Sequence, residues 1–303
     1  MTNTSRTFLV LFICANTSVA NAEQAVILNL SDQPEKAVKV VTTSNTKLVF
    51  DIKGNEELIE KNRQRGVIFP VKLSNFKTHR ISTVTGPTNE NGSFKFERKF
   101  EDAASYTEDV NGNRVRIPDN MDDMVGLVIK GLIEVDGKMK VLELSGGNMD
   151  SKKKELLYSI FESNSLNETA PNKPLKVGDS FSTETPFLMP VPGQQPIQFK
   201  NNTKYTFMRI KGDLAIFDMV VSFSLSNPAQ GAQIKANGSG EGIMKYNIKS
   251  NMQEKQDLTF SMKMQITAGQ TKVFSILKSE SKMEQYIFNP NKPSPNNALQ
   301  PDA

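Results

Sequence analysis

Phe217-Asp218-Met219-Val220-Val221-Ser222-Phe223-Ser224-Leu225 decides how this chain is read. Its large apolar residues fall at 217, 219, 221, 223 and 225, with Asp218, Ser222 and Ser224 between them. A helix would space its apolar face by threes and fours. A period of two gives an extended strand with one apolar and one polar side. Downstream, Leu258, Phe260, Met262, Met264 and Ile266 alternate with Thr259, Ser261, Lys263 and Gln265. Upstream, Val67, Phe69, Val71 and Leu73 share one face, and so do Phe94, Phe96 and Phe100, with Lys95, Glu97 and Lys99 opposite.

Strands that are apolar on one side only are antiparallel and half-buried. Ile129 to Val135 runs into Asp136-Gly137, a hairpin dipeptide. The return strand is irregular, with Met139 and Val141 on one side and Leu142 and Leu144 on the other. A last pair of strands is expected over 271–279 and 282–288.

One segment has the helical period instead. Leu156, Leu157, Ile160 and Phe161 fall on one helical face, and Asp150 is placed to cap it. Lys152, Lys153 and Lys154 crowd a first turn where the helix dipole favours acids. A shorter helix is expected at 121–125. The pattern predicts a mainly β (α+β) fold: curved antiparallel sheets or half-barrels in two lobes, with one amphipathic helix at about 150–163. The first lobe spans 23–165 and the second 197–288. Between them, 166–196 holds Pro171, Pro174, Pro186, Pro190, Pro192 and Pro196 and reads as a connector. The tail, 289–303, has no apolar period.

The N-terminus points to export. Arg6 is the only charge in the first 22 residues, and 7–15 form a short apolar core. Ala20 and Ala22 are the small residues a signal peptidase reads, so cleavage is expected after Ala22 and a periplasmic or secreted product follows. The alternative, a lipoprotein attached at Cys14, has the bulky Ile13 where a small residue belongs. Cys14 is the only cysteine, so the mature chain holds itself by its core rather than by disulfides. No later apolar run is long enough to span a membrane as a helix.

Charge and composition narrow the function. Lys and Arg total 37 against 33 Asp and Glu, with no concentrated basic stripe, which argues against nucleic acid. His79 is the only histidine. A His-based zinc site or a serine triad therefore lacks partners, and a surface or edge-strand role is the expectation for this residue. Asp109-Val-Asn111-Gly-Asn113 starts like a calcium loop, but its glycine is at the fourth position and Asn120 stands at the twelfth. Gly238-Ser-Gly240-Glu-Gly242 lies between strands and fits neither glycine-rich phosphate motif. Strand glycines mark a bulge or a close approach. No cofactor and no catalytic residue is assigned.

Seven of the 13 methionines lie after residue 200, several beside phenylalanines on the apolar strand faces. Such surfaces adapt to loosely specified apolar ligands. Phe207, Met219, Phe223, Phe260, Met262 and Met264 are the candidate lining of such a site. An ordinary core is the commoner fate of such stripes.

The run Asp136-Gly-Lys-Met-Lys-Val-Leu-Glu-Leu-Ser-Gly-Gly147, the helix to Phe161 and Pro174-Leu-Lys-Val-Gly-Asp-Ser-Phe181 together resemble a family of uncharacterised exported bacterial proteins. Tyr205-Thr-Phe207, Gly212-Asp-Leu-Ala-Ile-Phe217 and the Gly238–Gly242 run extend the resemblance. It covers about 130–290 and implies no catalytic residues. In architecture, strands curling round a helix are similar to the LolA-like periplasmic lipoprotein carriers. The functional expectation is a non-enzymatic periplasmic protein binding a lipid or other apolar ligand in a sheet concavity. The alternatives are a structural or interaction module of the cell envelope and a carboxylate-dependent hydrolase.

Overall fold

The computed structural model describes residues 25–108, 112–118, 121–151, 153–155, 157–158, 171, 173–189, 197–225 and 233–291. The expected signal peptide, Cys14, the start of the calcium-like loop and most of the second half of the predicted helix lie outside these residues.

The fold is mainly β and is built on one antiparallel sheet. Its strands are β1 (Ala37–Lys53), β2 (Val71–Thr88), β3 (Phe94–Glu108), β4 (Arg114–Arg116), β5 (Val128–Ile133) and β6 (Met139–Ser145). They continue with β7 (Ser180–Met189), β8 (Ile197–Lys211), β9 (Leu214–Leu225), β10 (Gln233–Asn247), β11 (Met252–Ala268) and β12 (Thr271–Ile287). The spatial order is β6-β5-β3-β2-β1-β12-β11-β10-β9-β8-β7, with β4 beside β3. The chain thus walks outward from β1 to one edge, passes to the opposite edge, and returns strand by strand until β12 pairs with β1. This is the order of an up-and-down barrel left open between β6 and β7.

Register carries one inner face across the whole sheet. Phe223, Gly238 and Met262 lie side by side on β9, β10 and β11. Val40 lies between Gln285 of β12 and Ile81 of β2. Three apolar clusters occupy this face. One, in the first half, is built on Phe94, Phe96, Leu127, Ile129 and Val141, with Leu157 and Tyr158 packed against it. The second joins Phe207, Phe217, Met219 and Met244 to Val26 and Leu175. The third centres on Phe199, Met262 and Ile266. The second cluster thus joins residues of the first expected lobe and of the expected connector to strands of the second, and the β1–β12 ladder makes the whole one sheet.

The glycines of β10 allow the sheet to curl. A methyl group on Gly242 would lie 2.3 Å from the Asp257 carbonyl oxygen, and one on Gly240 2.6 Å from Phe260 Cβ. Cα atoms of β9 and β11 approach within 8 Å across β10, closer than the two spacings of about 4.8 Å that a flat sheet would place between them.

Some expectations need refining. The last two strands are one: β12 runs unbroken through Glu280 and Ser281, because Ser279 and Ser281 keep to the inner face and the alternation never lapses. The irregularity after the Asp136-Gly137 turn is a β-bulge. Lys130 pairs with Glu143 and Gly131 with Val141, so Leu142 is the extra residue and is 56% exposed. Strand β7 lies inside the expected connector. It pairs only with β8 among the described residues, and Pro186 is tolerated on such an edge. The 121–125 helix is a 3-10 turn at Asp122–Met124.

Asp150 caps the predicted helix, its Oδ1 accepting the Lys153 N–H at 2.8 Å. Lys153 is accommodated in that first turn by Asp123, whose carboxylate lies 2.6 Å away and raises the lysine pKa. A second helix, α1 (Glu56–Gln64), follows β1. Asn55 caps it, and Glu56 and Glu57 stand in its first turn.

Candidate functional site

Before β1 the chain forms a strap, residues 25–36, laid across the inner face. Val26 and Leu175 exchange two backbone hydrogen bonds of 2.8 Å. The Asn29 N–H donates to the Tyr246 hydroxyl at 2.9 Å, and that hydroxyl donates to Asn251 Oδ1. Burial raises the Tyr246 pKa, partly offset by the Asn29 bond, so the phenol stays neutral and keeps donating. The Gln33 side chain donates to the Asn251 carbonyl. Thr85 fastens the far end: its hydroxyl donates to the Gln33 carbonyl at 2.5 Å and accepts the Lys36 N–H at 2.9 Å.

Between strap and sheet lies a cavity of about 410 Å³. Its apolar floor comes from the inner face: Val38 and Val40 of β1, Ile81 of β2, Phe100 of β3 and Met283 of β12. Polar side chains share the lining: Gln33, Ser250, Asn251 and Gln253, together with Gln256 and Gln285, which stand beside Met283 and Val40 on the inner face. Ser250 Oγ is buried and has no hydrogen-bond partner among the described residues. Among the described residues Asp32 is the only carboxylate in the lining, and Arg98 holds it at 2.8 Å while donating to Thr83 Oγ1 at 3.1 Å.

His79 is on neither an edge strand nor the open surface. β2 pairs on both sides, and His79 lies on the inner face between Thr42 and Ala103. Burial lowers its pKa, which keeps the imidazole neutral near pH 7.

The six candidate ligand residues fall into two groups. Phe207 and Met219 are 0% and 2% exposed and belong to the cluster that the strap covers at Val26 and Leu28. Met262, Phe223 and Met264 belong to the third cluster, and Phe260 stands beside Phe223 with ring centroids 5.1 Å apart. None of them lines the cavity beneath the strap. The residues that do were missed, although one signal was present. Arg98 occupies an apolar position in Phe94-x-Phe96-x-Arg98-x-Phe100, a charge in phase with the inner face.

No family model and no curated protein matches the chain. Among solved structures it is similar to the TodX monoaromatic hydrocarbon channel deltaS2 mutant, with a TM-score of 0.31 and 8% identity, over 86% of this chain and 92% of that one. It is also similar to the translocator domain of the autotransporter NalP from Neisseria meningitidis, with a TM-score of 0.29 and 8% identity, over 85% and 91%. Likenesses this slight carry no argument about function. Among the described residues no helix is long and apolar enough to cross a membrane.

Proposed function

We propose that this is a non-enzymatic, exported bacterial envelope protein that holds an apolar ligand, such as an acyl chain, beneath its strap. The cavity under residues 29–33 carries this reading. At about 410 Å³ it lies within the roughly 300–1,000 Å³ of small-molecule sites. A lining that mixes apolar side chains with hydrogen-bonding ones suits a ligand with a greasy body and a polar end. The outer face of the central strands argues for a water-facing sheet, since Lys263, Lys278, Lys282 and Glu280 share it. A lipid-facing barrel wall would carry an apolar band there.

The test is native mass spectrometry of the protein purified from a periplasmic extract without detergent. A reproducible adduct of lipid size is expected, lost in Val40→Trp, whose indole fills the cavity, while circular dichroism stays that of the wild type. A clean mass with no uptake of added lipid would leave the envelope interaction module as the better reading. That alternative has its own support in Val135 and Leu142, which are 75% and 56% exposed on the β5–β6 hairpin at the sheet edge.

A further inference from the structure

We infer that the ligand beneath the strap is an amphipathic anion, an apolar chain ending in one negative charge, with Lys36 as its counter-ion. The inference rests on the binding reading above and adds the class of the ligand's polar end. The lining holds two cations, Lys36 and Arg98, and one carboxylate, Asp32. Arg98 is engaged by Asp32 and Thr83. Lys36 is different. Its backbone is fixed by Thr85, which accepts from the Lys36 N–H and donates its own backbone N–H to the Lys36 carbonyl at 2.8 Å. Lys36 is among the lining residues of the cavity, and none of the salt bridges among the described residues involves its ammonium.

The lining therefore carries a net charge of one positive, two cations against one carboxylate, beside the apolar residues of the inner face. Screening is weaker there than on open surface, so the charge discriminates more strongly. A cationic ligand would meet Lys36 and Arg98 unfavourably. A neutral one would leave the ammonium unpaired. An anion takes it directly, and its remaining acceptor capacity suits the Ser250 hydroxyl, unpartnered among the described residues.

The experiment compares three probes of equal chain length, decanoate, decan-1-ol and decyltrimethylammonium. Each is titrated calorimetrically into the purified protein at low ionic strength and below its micelle concentration. Decanoate is expected to bind about tenfold more tightly than decan-1-ol, the size of one charge-assisted hydrogen bond, with the cation weakest. Lys36→Gln should bring decanoate down to the level of decan-1-ol and leave decan-1-ol unchanged, while Lys36→Arg keeps the preference. Equal affinity for decanoate and decan-1-ol in the wild type, or an equal loss of both in Lys36→Gln, would overturn the inference. Binding abolished by Val40→Trp would then still uphold the cavity as a site. Absence of binding by all three probes would remove the site itself, and this inference with it.

Discussion

Gly242 has no room for a side chain, since the Asp257 carbonyl oxygen occupies the place its Cβ would take. Gly242→Ala should destabilise the protein by about 3 kcal/mol, the upper part of the range for forced overpacking. Gly86 is the control: only Lys95 atoms, at 3.9 Å, face its added methyl. Gly86→Ala should shift stability by no more than about 0.5 kcal/mol. Urea unfolding of the two variants checks both values, and equal midpoints would mean the glycine row does not set the curl. The row was visible in the sequence as Gly238-Ser-Gly240-Glu-Gly242, and the close-approach reading of strand glycines applies to it. Arg98 was just as visible and went unread, because a charge among phenylalanines becomes meaningful only once Asp32 is known to lie opposite it.

Strands with a clean period of two, such as β9 and β11, were legible from their side chains alone. α1 was not. It has no buried residue and so no apolar stripe to announce it, although Asn55, Glu56 and Glu57 are a proper helix start. The strap was also illegible. It forms no strand and owes its place to contacts with residues far away in sequence, from Thr85 and Arg98 to Leu175 and Tyr246. Thr85 is the fastening that can be removed without changing shape. Thr85→Val should cost about 1–2 kcal/mol, because it strands the Gln33 carbonyl and the Lys36 N–H. Amide hydrogen exchange should accelerate over residues 29–36 and remain as in the wild type in β9 and β10. Uniform acceleration everywhere would show that the strap is an integral part of the global fold rather than a separately opening element.

The whole sheet depends on one ladder. β1 and β12 pair from Val38 with Ile287 to Lys53 with Lys272, and among the described residues no other ladder joins the two halves of the sheet. A chain ending at residue 270 loses the central strand rather than an edge. It should lack the β-type circular dichroism of the full protein and accumulate as aggregate, since β1 and β11 would both present long unpaired edges. A soluble, β-rich product from that truncation would show that each half of the sheet stands alone. Local alternation could not announce this arrangement, because a strand's partners are set by topology and not by its own period.

That ladder also sets a clock. The first strand leaves the ribosome long before the last, and at roughly 5–20 residues per second the interval is on the order of ten seconds or more. Until β12 arrives, β1 and β2 have no route to the β7–β11 half of the sheet. The final fold is thus decided only once β12 has been made, and a chain handed across a membrane as it is made would have much of its length on the far side before it could lock.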